Sequence, residues 1–373
     1  MPTIAIVDDN QEGGELQALL SENAIVEIYH PRDVTFEIVK DADLVLVDYK
    51  LEDARWIERQ ETNSIVLQPI DGIALSMVLR RHIASLEKHP PTAFALLTSF
   101  IDDIVRPFPH DNRNHQIARW FNLEWVFEKP QNNARGLADS ILALASGVEN
   151  LPSTWGEAGD FISDAELLEL MGVQAEDPLA DRYLEDVKNA KPPIHQLIEW
   201  SHGLAFLRWF MHRVLPYSCF LIDAVELSRH LRITPTSLSS ELGSGSDLDK
   251  TLGSFEYRGV LSGFRGKRWW RSGVSQFLWD STDGDRGNAE AVAVLLNSMA
   301  GKELDCLKCD YPTAIVDSDF KTSHEFAELD ECVQIQPDGW PSFAEPAFTS
   351  IEWAKEHNSL RSLVIRKDKG KLD

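Results

Sequence analysis

The chain has 373 residues, of which 43% are hydrophobic, so it is long enough for two or three domains with buried cores, and wholesale disorder is excluded. Sixty acidic against 36 basic side chains leave a formal charge of −24, which repels phosphate backbones and anionic membranes wherever no local basic surface overrides the average. No apolar run approaches the ~18 residues of a membrane span, and the N-terminus MPTIAIVDDN meets acid at once, so a soluble, cytoplasmic chain is expected. The cysteines Cys219, Cys306, Cys309 and Cys332 are too few for a disulfide framework, and reduced thiols are the default.

Short β-branched runs alternate with helical patterns up to about residue 146, the pattern of parallel strands joined by crossover helices. The predicted strands are Thr3 to Val7, Ala24 to Tyr29, Leu44 to Val47, Ala93 to Leu97 and Leu123 to Phe127, mostly apolar as strands covered on both faces should be. Between them the spacing predicts helices over Glu12 to Glu22, Val34 to Ala42 and Gly72 to Leu86, with a last helix from Ala134 to Ala145. The polar stretch Pro107 to Gln116 (PFPHDNRNHQ) is read as a surface loop before a short helix at Ile117 to Asn122.

In a parallel α/β sheet the carboxyl ends of the strands converge on one crevice. Asp8 and Asp9 end the first strand, Asp48 the third, Thr98 the fourth and Lys129 the fifth. Three crowded carboxylates repel one another, and a hard divalent cation such as Mg²⁺ relieves that repulsion. A carboxylate beside such a cation can attack a phosphoryl group, and a hydroxyl and an ammonium would then stabilise the phosphoryl oxygens.

These residues, in this order, resemble the receiver domain of two-component response regulators over about the first 146 positions. VDD at 7 to 9 matches the family's acidic pair, and DLVLVDY matches its phosphoacceptor strand. QPIDGIALSMVLRRHI matches the segment opening the third helix, FALLTS the switch threonine, and EWVFEKP the lysine with its following Pro130. The resemblance implies a five-stranded, doubly wound, flavodoxin-like domain. It makes Asp48 the phosphoacceptor, with Thr98 and Lys129 assisting, and implies that Asp8, Asp9, Asp48 and the main-chain carbonyl of Lys50 hold Mg²⁺. Three features depart from the family. Charged material is inserted between Tyr49 and Gln68, Thr98 and Lys129 are widely separated, and Val126 stands where most receivers carry an aromatic switch residue. Lys50, two residues after the acceptor, is placed to screen the phosphoryl group from water.

At Gly147 to Gly159 periodicity stops and glycine, proline and polar residues accumulate. The expected organisation is a receiver-like domain over 1–147, a linker over 148–160, a mainly helical output domain over 161–305 and a small β-rich region over 306–373. Ala224 to Leu242 has the cadence of a helix-turn-helix, although its second helix, PTSLSSEL, offers no arginine or lysine, and two packed helices are the plainer reading. From Tyr257 to Trp279, Arg258, Arg265, Lys267, Arg268 and Arg271 interleave with aromatics and no acid. This segment is either a wing for nucleic acid or a partner, or a set of cations that docks on the chain's own acidic surface. Cys306 and Cys309 form a CxxC that would need His324 and Cys332 to complete a zinc site, against the plainer reading of free thiols.

The sequence therefore implies a cytoplasmic signalling protein that accepts a phosphoryl group on Asp48, with Mg²⁺, from a histidine kinase or phosphotransfer protein, and relays its state to an atypical C-terminal half. Two alternatives stay open: a DNA-binding regulator acting through 224–279, and an interaction scaffold or phosphate sink. A second copy of the chain is an open partner, nucleic acid is the less favoured one, and no enzyme activity is expected beyond the receiver's own phosphorylation and dephosphorylation.

Overall fold

The computed structural model describes residues 1–10, 14–52, 56, 69–83, 91–104, 110–129, 133–152, 155, 162–193, 203–317 and 322–373, the side chains of 110–112, 322 and 324 excepted. Five strands form one parallel sheet: β1 (Thr3–Val7), β2 (Ile25–Tyr29), β3 (Leu44–Asp48), β4 (Ala93–Thr98) and β5 (Trp125–Glu128), in the order β2-β1-β3-β4-β5. This is the flavodoxin-like arrangement, in which the chain reverses direction across the sheet beside β1. Strands β3 and β4 are buried throughout except at Asp48, the last residue of β3, which accounts for their near-continuous apolar sequences. Their register sets Val7 beside Val47, and Asp48 beside Leu97.

The helices of this part are α1 (Gly14–Leu20), α2 (Phe36–Asp41), α3 (Gly72–Ile83), α4 (Ile101–Ile104), α5 (His110–Trp120) and α6 (Ala134–Glu149). Thr35 caps α2 through Ile38 N, and Asn133 caps α6 through Gly136 N. The last helix runs four residues beyond its predicted end, because Leu144, Ala145, Gly147 and Val148 still face the core. The polar stretch expected as a loop is instead mostly helical from His110 onward. Tertiary contacts override its low apolar content: Ile117 and Ala118 are buried, Arg113 pairs with Asp102, and Asn114 Nδ2 donates to the Val126 carbonyl at 3.0 Å. The inserted segment after Tyr49 lies largely outside the described residues, apart from Lys50 to Glu52 and Trp56, whose Nε1 donates to the Pro69 carbonyl at 3.0 Å.

The chain divides into two compact units. The first comprises Met1–Leu170, Pro193–His212 and Gly259–Arg265. It adds α7 (Asp164–Leu170) and α8 (Leu204–Trp209) to the sheet. Helix α8 passes directly into a wider π-helical turn at Phe210–Val214. Such turns insert an extra residue and reorient the side chains that follow.

The second unit comprises Met171–Pro192, Arg213–Arg258 and Gly266–Asp373, and is mostly helical with small antiparallel sheets. Its helices are α9 (Ala180–Asn189), α10 (Ala224–Leu231), α11 (Pro235–Glu241), α12 (Asp247–Ser254), α13 (Arg271–Ser281), α14 (Ala289–Ala300), α15 (Ile351–Glu356) and α16 (Asn358–Leu363). Two-stranded pairs are β6 (Leu221–Ile222) with β7 (Trp269–Trp270), β8 (Pro312–Val316) with β9 (Thr322–Glu328), and β10 (Cys332–Ile335) with β11 (Ala347–Ser350). Helices α10 and α11 meet at Arg232, whose left-handed backbone (φ 57°) takes the place glycine favours, and Thr234 caps α11 ahead of Pro235. Leu227, Leu231, Leu238, Leu252, Trp269 and Leu296 share one apolar core in this unit.

Candidate functional site

The ends of β3, β4 and β5 are stitched together by the main chain. Tyr49 N donates to the Leu97 carbonyl at 3.1 Å, and Lys129 N to the Thr98 carbonyl at 2.8 Å. This stitching delivers the Lys129 ammonium to Asp48, where Nζ donates to Oδ1 at 2.7 Å. Burial pushes the Asp48 carboxyl up and is the largest influence; the bond and charge of Lys129 pull it down, and the charges of Asp8 and Asp9 push it up again, leaving it raised overall. Asp48 is thus a partly desolvated carboxylate with one counter-ion on one oxygen.

Asp8 and Asp9 sit at the end of β1 and are buried, and Asp8 Oδ1 accepts from Asn10 N at 2.8 Å. The three residues supply hard oxygen donors of the kind a divalent cation takes, and their mutual repulsion is one reason Asp48 is raised. As placed, no three acidic, imidazole or thiol side chains among the described residues group into a ready metal shell. The donors fit such an ion in kind, while Lys129 supplies the positive charge at Asp48.

Thr98 is fully buried, and its Oγ1 accepts from Phe100 N at 2.9 Å. A hydroxyl used as acceptor keeps its proton to donate. Lys50 is tied by a backbone bridge to Asp71, and its ammonium lies 3.4 Å from the centre of the exposed Phe100 ring. The floor under Asp48 is set by Gly72, the first residue of α3. A Cβ there would lie 2.0 Å from the Asp48 carbonyl oxygen, so only glycine lets the helix start against the strand end.

Several residues that position this site were not singled out from sequence. Glu124, just before β5, has no exposed surface, and its carboxylate gathers four bonds: Arg80 at 2.6 Å, Arg208 at 2.5 and 3.1 Å, and Phe94 N at 2.6 Å. Burial alone would raise it, but the two guanidiniums and the Phe94 amide hold it below the usual carboxylate value. An acid directly preceding an apolar strand was the available signal. His115 and His212 also went unmarked; their Nδ1 atoms are 2.7 Å apart. Nothing in the sequence connects two histidines almost a hundred residues apart.

The candidate residues of the C-terminal half are dispersed. Arg265 lies against His115 Nε2 at 3.4 Å, within the first unit. In the second unit Arg258 donates to the Gly253 carbonyl, Lys267 pairs with Glu256 at 3.2 Å, Arg268 donates to the Leu215 carbonyl at 3.1 Å and Arg271 pairs with Glu345 at 2.8 Å. All five cations have partners in the chain. Cys306 is exposed and Cys309 half-buried, their thiols near the carbonyls of Leu304 and Phe326, while the side chain of His324 lies outside the described residues. Burial pushes the Cys332 thiol up to about 11 and raises that of Cys309, so both are neutral thiols at pH 7. Among the described residues no helix is long and apolar enough to cross a membrane. No protein-family model, curated protein or solved structure matches the chain.

Proposed function

We propose that the first unit is a phosphoacceptor domain of the response-regulator type and that Asp48 is the residue it phosphorylates. The observation that carries this reading is the Lys129 ammonium on Asp48 Oδ1 at 2.7 Å, at the carboxyl end of a sheet ordered β2-β1-β3-β4-β5 whose neighbouring strand ends in the buried Thr98. Any carboxylate oxygen can be a nucleophile in principle. Here burial has removed part of its hydration, and Lys129 favours its ionised form and orients it.

The donor is a phosphohistidine of a kinase or phosphotransfer protein. Asp48 attacks the phosphorus, the phosphorus–nitrogen bond breaks and the imidazole leaves, giving a mixed carboxylic–phosphoric anhydride. Lys129 then moves its charge from the carboxylate toward the phosphoryl oxygens, and the Thr98 proton is donated to one of them. Mg²⁺ held by Asp8, Asp9, Asp48 and the Lys50 carbonyl would supply the remaining positive charge. The second unit is the module that receives the resulting state; its four candidate cations, Arg258, Lys267, Arg268 and Arg271, have partners within the chain, which favours protein over nucleic acid as its partner.

Intact-mass analysis after incubation with Mg²⁺ and acetyl phosphate, on wild type and Asp48→Asn, tests the reading. One phosphate adduct confined to wild type, matched by beryllofluoride binding, is expected. Absence of both in folded wild-type protein would overturn it and leave a scaffold with a receiver-like sheet.

A further inference from the structure

On the β5 side of the sheet, two distant stretches of chain return to the first unit. Phe264 packs edge-on against Trp125 at 5.1 Å and Phe127 at 6.1 Å. Arg208 reaches Glu124 and Asn122. The wide π-helical turn after α8 places His212 flat against Trp125, ring centres 5.4 Å apart at 24°, and its Nδ1 meets His115 Nδ1 at 2.7 Å. His115 in turn stands edge-on to Trp125 at 4.8 Å.

A hydrogen bond between two imidazole nitrogens needs one protonated and one bare nitrogen. Both rings can therefore be neutral, but protonating the accepting nitrogen turns the bond into two opposed N–H groups. The surroundings do not welcome that proton. Arg119 from α5, Arg208 from α8 and Arg265 from residues 259–265 all bear on the pair, and the acid that bears on it, Glu124, is already shared between Arg80 and Arg208. Burial is the first reason both imidazoles are held below the ordinary histidine value; beyond it, the His212 ring, Arg265 and Arg119 disfavour the cation on His115. On His212, Arg208 acts in the same sense and Glu124 against it.

We propose that the His115–His212 hydrogen bond is a proton-operated latch: neutral, it holds residues 203–212 and 259–265 on the β5 side of the phosphoacceptor sheet, and protonated, it releases them. Release loosens the strand whose next residue is Lys129, the counter-ion of Asp48. That consequence rests on the phosphoacceptor reading; the latch itself does not.

Hydrogen exchange of the full chain at about pH 7.5 and about pH 5, corrected for the intrinsic pH dependence of exchange, tests it on wild type and on His115→Asn with His212→Asn, whose amides can pair but do not titrate. In wild type, protection of 203–212 and 114–128 is expected to fall about tenfold or more at the lower pH, and in the double variant to be unchanged by pH. Equal wild-type protection at both values, or the same loss in the double variant, would overturn the latch. Should the variant not fold, NMR of the wild-type imidazoles decides: neutral rings with an Nδ1–H shared between them down to about pH 6 support it, and free titration of both near 6.5 refutes it. Asp48→Asn keeps the latch, so its exchange pattern separates failure here from failure of the phosphoacceptor reading. Only a pH-dependent change in acetyl phosphate labelling, larger in wild type than in the double variant, depends on both.

Discussion

Replacing Glu124 by Gln tests the account of how β5 is held. The carboxylate is wholly removed from solvent and receives Arg80 at 2.6 Å, Arg208 at 2.5 Å and the Phe94 amide at 2.6 Å. Glutamine is nearly isosteric and keeps an oxygen for the amide, so what is lost is the charge facing two guanidiniums. Removing one partner of a buried ion pair costs about 3–5 kcal/mol. Arg80 and Arg208 retain 19% and 32% side-chain exposure and can rehydrate, which places the expected loss near the low end, about 3 kcal/mol. For a unit of this size that corresponds to roughly 6–12 °C in Tm. The assay is thermal and urea unfolding at neutral pH and again at about pH 4, near the unfolded glutamate's ordinary value of about 4.3. Because Glu124 is held below its unfolded value, its contribution is present above that value and fades as pH falls through the folded one. Wild type and variant should therefore converge in acid. A Tm change under 1–2 °C at neutral pH, roughly what half a kcal/mol gives, would refute the reasoning. So would a gap that widens in acid.

Three further outcomes follow from the site and from the second unit. Gly72→Ala would drive a methyl into the Asp48 carbonyl and is expected to cost about 2–3 kcal/mol and to slow labelling by acetyl phosphate, read by urea unfolding and intact mass. Asp48 is raised on balance, so its ionised form is destabilising where the unfolded residue would be charged. Asp48→Asn should thus raise stability and Tm at pH 7, a gain that shrinks as pH falls toward the unfolded aspartate's value of about 3.9. In the second unit burial pushes Glu226 up to about 7 against the pull of Arg229, with Glu345 adding to the rise. The charge on Glu226 becomes costly as pH rises above the unfolded value, so wild-type stability should decline between about pH 4 and pH 7, by at most about 3 kcal/mol. Glu226→Gln should flatten that slope. An unchanged slope in calorimetry would show that Arg229 fully compensates the carboxylate.

The sequence by itself determined the sheet and the convergence of its strand ends. Runs such as LVLV and AFALL are apolar throughout because both faces are covered, and that signal is local to each strand. With the strands placed, parallel topology brings Asp48, Thr98 and Lys129 to the same end without further information. Gly72 at the start of α3 was legible as part of a motif, though its physical reason, a carbonyl 2.0 Å from where its Cβ would be, belongs to the structure. What only the tertiary structure decided concerns groups whose meaning depends on a distant partner. His110 to Gln116 is too polar to look like a buried-face helix, yet it is held by Asp102 and by the edge of β5. Glu124 reads as a surface acid until Arg208 arrives from the far side of the chain, and His212 reads as one histidine in an apolar run until the π-helical turn sets it on His115. Periodicity reports which face of an element is buried. It carries no record of which residue will supply a buried charge or a bare nitrogen with its partner, because that pairing is fixed by the path of the whole chain.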